Sequence, residues 1–404
     1  MKWSNAGANL PVLRSHNAAL VLDLLRAAGE DGISRLELAE RTGLTPQAVS
    51  KITARLRAEG LATEAGRRAS TGGKPRTVLR LVPSAAHAVG LHLDRDELTA
   101  VLVDLAGTVV ASRTRALDLA GAVPGVMSAA TGEVRALLAG APERVLGVGV
   151  GMPGPLDHWS GVPGRVTGAP GWAGVPLRDE LAERLGLPVV LDKDTNAAAL
   201  ALALRGRPEA GSRGAGTATG PVDGGPVPAA ASATAAPGAY ATSASSATAA
   251  PGSFAYLHLG TGLGAGLVIG GVVHRGARTG AGEFGHQVVR LDGPVCPCGN
   301  HGCIEALCLA AVARGELGEA ARILGTGAAN LVRLLDVDQV LLGGRTVLAD
   351  PETFVRGVRA VVGDGAVRVA LAETGAHPVA EGAAQLVLGP LFGRMEATGS
   401  ANRA

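Results

Sequence analysis

The alternation of apolar and polar positions predicts three short helices within residues 15–60. The segment "HNAALVLDLLRAAG" repeats its leucines at helical spacing, and "SRLELAERTG" and "TPQAVSKITARLRAEG" continue the pattern. Ser34 and Thr45 stand at N-cap positions, Pro46 takes the first position of the third helix, and a glycine follows each helix. The short connection "GLT" between the second and third segments is typical of a helix-turn-helix.

Two strands around a Gly-rich basic loop follow in "LATEAGRRASTGGKPRTVLRLVP", so residues 1–83 are predicted to form a winged helix-turn-helix. Such a module presents the start of its third helix to base edges and its wing to phosphates or the minor groove. Any single charged residue of such a module is equally consistent with a solvated surface residue, and a winged helix can also serve protein contacts. The predicted DNA-binding residues are Thr45, Gln47, Ser50 and Lys51 on the helix, and Arg67, Arg68, Lys74 and Arg76 on the wing.

From Ala88 onward the pattern changes to short apolar strands alternating with helices, which is typical of an α/β domain. We expect a first lobe over residues 84–205 and a second over 253–404, with the C-terminal helix returning to the first lobe. Residues 206–252 are almost entirely Gly, Ala, Ser, Thr and Pro, so they are predicted to form a disordered insertion.

Charge is distributed unevenly along the chain. Residues 1–82 carry 13 Lys/Arg against 7 Asp/Glu, a net charge of +6, whereas the remainder carries 24 against 28, a net charge of −4. The basic end therefore favours a polyanion partner. No apolar stretch has the length of a signal or membrane segment, so we expect a cytoplasmic protein without a membrane partner, in which clustered cysteines favour metal or redox chemistry over disulfides.

Five motifs in order, "GMPGPLD", "DTNAAAL", "LHLGTGLGAGLVIGG", "GAGEFGHQVV" and "CPCGNHGCIEA", resemble the ROK family, which contains sugar kinases and sugar-responsive transcriptional regulators. The resemblance implies a two-lobed, actin-like (ribonuclease H-like) body with a sugar in its cleft. In the family's regulators it also implies an added N-terminal winged helix such as the one predicted above.

The cysteine-rich motif admits a redox pair, a DNA-reading zinc finger or a zinc site that shapes something else. With the histidine upstream it reads H-x9-C-x-C-x4-C, and three thiolates and one imidazole form a closed tetrahedral shell that suits one structural Zn²⁺ per chain. The C-x-C spacing differs from the C-x-x-C of dithiol oxidoreductases. The predicted ligands are His286, Cys296, Cys298 and Cys303, with His301 as a rival ligand and Cys308 as an apolar helix-face residue.

The resemblance implies that a sugar is faced by Asp194, Glu283, His286 and Glu305, with Gly151 and Gly154 bringing a backbone turn close to it. Carboxylates are strong acceptors for sugar hydroxyls, although acidic residues in Gly-rich turns are also common on ordinary surfaces. Two positions depart from the sugar-binding pattern, because Lys193 and Gly171 stand where the relatives usually carry Asn. These departures leave open an acidic, phosphorylated or amino-modified ligand, and also a loss of sugar binding.

ROK kinases carry a D-x-G-G-T loop whose backbone cradles ATP phosphates, and here the corresponding segment is "LHLDRDELTA". Asp94, Asp96 and Glu97 bring negative charge and no glycine allows close approach, so the loop is expected to repel phosphate. Asp194, the general base in the kinases, is then predicted to bind ligand only, and the chain is predicted not to be an enzyme.

The sequence therefore predicts a one-component transcriptional repressor. A sugar in the cleft would change the spacing of two winged helices in a homodimer, and so their fit to a two-fold double-stranded operator. Two alternatives stay open: an active sugar kinase with an added DNA-binding domain, and a ligand-independent regulator controlled by a protein partner.

Overall fold

The computed structural model describes residues 16–70, 73–140, 144–205, 252–363, 365 and 367–393. Apart from Gly252, the predicted insertion at 206–252 lies outside these residues, as does the tip of the wing at 71–72. The boundaries of the predicted domains stay a prediction.

The N-terminal segment forms the predicted winged helix. Its three strands are arranged in the order β1-β3-β2, and both pairs are antiparallel. The elements are α1 (His16–Ala27), β1 (Ile33–Ser34), α2 (Arg35–Thr42), α3 (Pro46–Ala58), β2 (Ala62–Ser70) and β3 (Gly73–Leu81).

The helix boundaries follow from local hydrogen bonds. The Ser34 hydroxyl accepts from the Glu37 N–H (3.3 Å) while the Glu37 carboxylate accepts from the Ser34 N–H (2.8 Å), which forms a capping box at the start of α2. The Thr45 hydroxyl caps α3 by accepting from the Ala48 N–H (3.2 Å). Each such N-cap stabilises its helix by about 1 kcal/mol. Gly43 ends α2 in the left-handed conformation, with φ of 69°.

The first lobe is built on a five-stranded sheet in the order β10-β7-β4-β5-β6. Its strands are β4 (His87–Leu93), β5 (Glu97–Asp104), β6 (Val109–Ala116), β7 (Val145–Met152) and β10 (Val189–Lys193), with a small hairpin of β8 (Leu156–Asp157) and β9 (Val162–Pro163). Its helices are α4 (Val123–Leu138), α5 (Leu177–Leu185) and α6 (Asp194–Arg205).

The second lobe has a sheet in the order β13-β12-β11-β14-β15. Its strands are β11 (Phe254–Leu259), β12 (Leu263–Ile269), β13 (Val272–Val273), β14 (Gln339–Gly343) and β15 (Arg368–Leu371). Its helices are α7 (Ile304–Ala313), α8 (Leu317–Leu335), α9 (Arg345–Ala349) and α10 (Pro351–Val362). Helices α9 and α10 and strand β15 were not predicted from the sequence pattern.

The two sheets share one topology. In each lobe the first strand pairs antiparallel with the second and parallel with the fourth, so the strand order within each lobe is 3-2-1-4-5. Two such lobes enclose a cleft between the carboxyl ends of their parallel strands, where α/β sheets commonly bind ligands.

Two helices lie between the sheets. The last helix, α11 (Pro378–Leu388), packs on β4, β5 and β7 of the first lobe and on α6, which in turn packs on β11 and β12 of the second. Two glycines allow this close packing: a Cβ on Gly149 would collide with the Ala383 carbonyl, and one on Gly382 with the Ala197 carbonyl. The helix pair therefore connects the lobes through tight backbone contacts.

The winged helix shares a hydrophobic core with the first lobe. Leu25 and Leu79 of the winged helix belong to the same buried cluster as Val101 of β5 and Leu388 of α11. The guanidinium of Arg26 on α1 also lies 4.5 Å from the centroid of the Phe392 ring, in the turn that follows α11. The winged helix is thus packed onto the first lobe and α11. Within the described residues, no helix is long and apolar enough to span a bilayer.

Candidate functional site: a sugar-binding cleft, a metal group and a DNA-binding face

The cleft between the lobes brings together six residues that the sequence connects with a sugar site: Gly154, Lys193, Asp194, Glu283, His286 and Glu305. They come from separate elements of both lobes, so the convergence is a property of the fold. The other lining residues are Asp94, Arg95, Pro153, Thr167, Thr195, His258, Thr261, Gly262, Leu263, Gly264 and Gly282.

Asp194 is the first residue of α6, directly after β10. Its Oδ1 accepts a hydrogen bond from the Thr195 N–H (2.6 Å), and a carboxylate at a helix N-terminus is stabilised by the helix dipole. Its charge reaches Tyr256 on β11, whose pKa is raised mainly by burial and secondly by Asp194. Asp194 is therefore held by local backbone while facing the cleft.

Lys193, the departure from the sugar-binding pattern, is compensated within the cleft. Its side chain is 3% exposed, and its Nζ lies 3.1 Å from Glu283 Oε1 and donates to the Ala281 carbonyl. Gly154 makes room for the pair, because a Cβ there would lie 2.8 Å from Lys193 Cδ. One predicted sugar acceptor, Glu283, is thus engaged by the cation that replaces the usual Asn.

Two glycines singled out in the sequence, Gly151 and Gly171, are not among the residues that line the cleft. A Cβ on Gly151 would lie 2.7 Å from Val379 Cγ1, so the missing side chain of this glycine leaves room for α11. Gly171, the second departure, is exposed and does not line the cleft.

Glu305 connects the cysteine-rich loop to the second sheet. It lies in the first turn of α7, is 5% exposed, and its Oε2 accepts from the Leu263 N–H (2.8 Å) at the start of β12. A buried carboxylate with a charge-assisted bond is held firmly. Glu305 therefore gives this wall of the cleft a defined position.

The predicted metal ligands His286, Cys296, Cys298 and Cys303 form one group, whose donor atoms all lie within 4.8 Å of one another. Cys298 Sγ and Cys303 Sγ are 3.7 Å apart, and Cys296 Sγ is 3.7 Å from His286 Nδ1. Metal–sulfur bonds of about 2.3 Å in a tetrahedron place the ligand atoms about 3.7 Å apart. The group can hold a metal ion with these spacings.

The protonation of the thiols also bears on a metal. Burial raises the pKa of Cys303 to about 12, so without a nearby cation this thiol stays neutral at physiological pH. Thiolates are the species that bind metal, and a bound cation would supply the missing stabilisation. His301 is exposed and lies outside the group, and Cys308 is buried on α7.

His286 belongs both to the metal group and to the cleft. Its Nδ1 faces the sulfur of Cys296, while the residue lines the cleft beside Glu283. A metal bound here would fix the imidazole ring and leave Nε2 for another partner. The metal group therefore contributes His286 to the wall of the cleft.

The negative charge of the acidic loop after β4 is partly neutralised, which differs from the expectation that this loop repels phosphate. Arg345, at the start of α9, donates to both carboxylate oxygens of Asp96 (2.7 and 2.6 Å) and lies 3.6 Å from Asp94 Oδ2. Its hydrogen bond lowers the pKa of Asp96. The negative charge expected to repel phosphate is thus offset by a cation from the other lobe, and the lack of a glycine is the remaining feature of this loop that disfavours close approach of a phosphate.

Sequence reasoning missed two further residues of the cleft. Arg95 lies in the altered phosphate-loop segment, and its guanidinium extends into the cleft, where a Cβ on Gly262 would lie 3.1 Å from Nη2. His258, in the motif "LHLGTG", has its Nδ1 3.0 Å from the Tyr256 hydroxyl. Burial is the main cause that lowers the pKa of His258, so this imidazole stays neutral at physiological pH. Arg95 lies among the acidic residues, and His258 beside the glycines, on which the interpretation of these two motifs depends.

The exposed face at the start of α3 carries the predicted base-reading residues Thr45, Gln47, Ser50 and Lys51. Thr45 also caps the helix, so its hydroxyl is partly committed. On the wing, Arg76 is exposed on β3 opposite Arg68. The side chains of Arg67, Arg68 and Lys74 lie outside the described residues.

The ROK family profile matches residues 88–210 and 226–316, more than half of the chain. The chain belongs to the ROK family. A second profile, winged helix-turn-helix DNA-binding, matches residues 20–63. The predicted family and the predicted fold, a winged helix-turn-helix joined to a two-lobed actin-like ROK domain, are thereby confirmed.

Known proteins of both ROK types are similar to the chain. The xylose repressor of Caldicellulosiruptor bescii is 27% identical over 302 residues, which are 74% of this chain and 64% of that protein. The crystal structure of a ROK family transcriptional regulator, described as a homologue of the Escherichia coli Mlc protein, superposes with a TM-score of 0.69 at 20% identity, covering 94% of this chain and 98% of that one. The ROK hexokinase of Thermus thermophilus has a TM-score of 0.54 at 30% identity, covering 74% and 96%.

Proposed function

We propose that the chain is a sugar-responsive transcriptional repressor that binds operator DNA through its winged helix. The observation that carries this proposal is the hydrophobic core shared by the winged helix, the first lobe and α11. Because the DNA-binding face and the cleft belong to one packed body, a ligand that favours one arrangement of the lobes also favours one placement of the winged helix. Relatives described as repressors support the same function.

A contiguous chain of contacts joins the cleft to the winged helix. Asp194 begins α6, α6 touches α11 through Ala197 and Gly382, and the turn after α11 places Phe392 against Arg26 of α1. A ligand that displaces α6 would therefore act on the support of the winged helix. Coupling between the two sites is the property to be tested.

We further propose that the metal group binds one structural Zn²⁺ and that the cleft does not transfer phosphate. Three cysteines and a histidine leave no open position for water activation. The segment that replaces the D-x-G-G-T loop of the kinases has no glycine that would allow a phosphate to approach the backbone closely. Asp194 then contributes to ligand binding only. A homodimer on a two-fold operator completes the proposal, since half-site spacing converts a lobe movement into a change of affinity.

The test uses the full chain and a duplex selected by the protein from a random pool. We expect one or more sugars or sugar derivatives to raise the melting temperature and to weaken DNA binding tenfold or more, with no ATP turnover. Turnover of ATP with a hexose or amino sugar would favour the kinase alternative. DNA binding that no sugar changes, without a thermal shift, would favour control by a protein partner.

A further inference from the structure

We propose that Arg95 makes the cleft selective for a sugar that carries a negatively charged group, a carboxylate or a phosphate. The proposal rests on the proposed function, because it requires the cleft to bind a sugar. It names the ligand's chemical class and a residue that determines it.

Arg95 is the cation in the cleft that lacks a carboxylate partner among the described residues. Lys193 is paired with Glu283, and Arg345 at the rim with Asp96. The half-buried Arg95 side chain makes no hydrogen bond or ion pair with any residue that the structure describes. Glu305 approaches the same glycine, Gly262, but forms no ion pair with Arg95.

The surroundings place this guanidinium between two glycines. A Cβ on Gly262 would lie 3.1 Å from Arg95 Nη2, and one on Gly168 would lie 3.4 Å from Nη1. Side chains at either position would crowd the guanidinium, so the two glycines leave space for the planar guanidinium of Arg95. The backbone N–H of Arg95 donates to Asp94 Oδ1 (2.7 Å), which fixes the start of the side chain.

The carboxylates that face the cleft already have other partners. Asp94 accepts from the Arg95 backbone and lies near Arg345, Glu305 accepts from the Leu263 N–H, and Asp194 accepts from the Thr195 N–H. A neutral sugar would displace water from Arg95 without supplying a compensating charge, which is unfavourable. A planar guanidinium instead matches two oxygens of a carboxylate or phosphate.

The experiment measures affinities of the full chain, by calorimetry, for matched neutral and anionic sugars. The pairs are glucose with glucuronate, galactose with galacturonate, and glucose with glucose 6-phosphate. We expect at least one anionic member to bind about ten- to hundredfold more tightly than its neutral partner. Whether the acid or the phosphate binds more tightly identifies the source of the charge.

Two variants assign the preference. Arg95→Gln keeps a polar side chain without the charge and should bind both members of the preferred pair about equally. Arg115→Gln, which removes a half-exposed β6 cation that pairs with Glu133 away from the cleft, should behave as the wild type. Circular dichroism and DNA binding check that both variants are folded.

The outcomes separate the two proposals. If neutral sugars bind as tightly as the anionic ones, or if the preference survives Arg95→Gln, the selectivity proposal is wrong while the sugar-responsive repressor stands. If no sugar of either class binds although DNA binding is intact, the sugar site itself is wrong and both proposals fail.

Discussion

Arg95, Lys193 and Arg345 differ in whether a carboxylate already holds them, and this difference decides what each can do. Lys193 and Arg345 are engaged by Glu283 and Asp96, so they shape the cleft and its rim. Arg95 alone of the three keeps its donors for a ligand, within the part of the chain that the structure describes. The sequence shows that these three residues are cations, but it does not show which of them form ion pairs.

Three histidines predict how stability depends on pH. Burial is the main cause that lowers the pKa of His87, His158 and His258. Their folded pKa values lie below the unfolded value of about 6.5, so the unfolded chain takes up protons first as pH falls. The folding stability associated with these neutral histidines should be complete above about pH 6.5 and decrease below it. The melting temperature should therefore be lower at about pH 5.5 than at about pH 7.5.

The variant His258→Gln tests this assignment. It removes one of the titrating groups, so the melting temperature should fall less steeply with decreasing pH than in the wild type. Metal content is measured at each pH to separate loss of the metal from protonation of His258. An unchanged slope would contradict the role given to His258.

Gln47 and Arg76 predict two different effects on DNA binding. Gln47 is exposed at the start of α3, so Gln47→Ala should weaken the binding free energy for the selected duplex by about 1–3 kcal/mol and change binding to a scrambled duplex little. Arg76→Ala should weaken binding to both duplexes about equally and reduce the slope of log K against log salt by about one.

Fluorescence anisotropy on both duplexes over a salt series measures these effects. Arg322→Ala, an exposed cation on α8 in the second lobe, is the control and should bind as the wild type. Equal losses on both duplexes for Gln47→Ala would contradict base reading by that residue.

At the scale of elements, local sequence signals predicted the starts of helices correctly, whereas contacts between residues far apart in the sequence were not predicted. Ser34 and Thr45 make the capping bonds that their positions predict, because those bonds join residues three apart. Arg345 and Asp96 are 249 residues apart, and no local pattern indicates that they meet. Likewise no local pattern indicates that the missing side chain of Gly151 leaves room for α11.

The cysteine-rich loop predicts that one element depends on a metal. Purified protein should contain about one zinc per chain, and Cys303→Ser should lose it, with a lower melting temperature and weaker sugar binding because His286 and Glu305 are no longer fixed. Elemental analysis and thermal unfolding measure both effects.

The matched control changes a neighbouring histidine outside the metal group. His301 is exposed, so His301→Ala should keep the zinc and the stability of the wild type. Full zinc content in Cys303→Ser, or loss of zinc in His301→Ala, would contradict the assigned ligands.

At the scale of the whole molecule, the two lobes meet through contacts from several elements. Arg275 and Asp192 form a buried ion pair (2.6 Å), His158 Nδ1 lies 2.6 Å from Thr279 Oγ1, and Arg345 bridges to Asp96. The same first lobe carries the winged helix through a shared core. These contacts offer a route by which the proposed ligand would act on the placement of the winged helix.

The most direct test of this linkage is the affinity of the full chain for its sugar with and without saturating operator DNA. If the sugar weakens DNA binding by some factor, thermodynamic reciprocity requires DNA to weaken sugar binding by the same factor. We expect a reduction of about tenfold, measured by calorimetry with the selected duplex and unchanged by a scrambled one. Equal sugar affinities in the presence and absence of operator DNA would contradict the account.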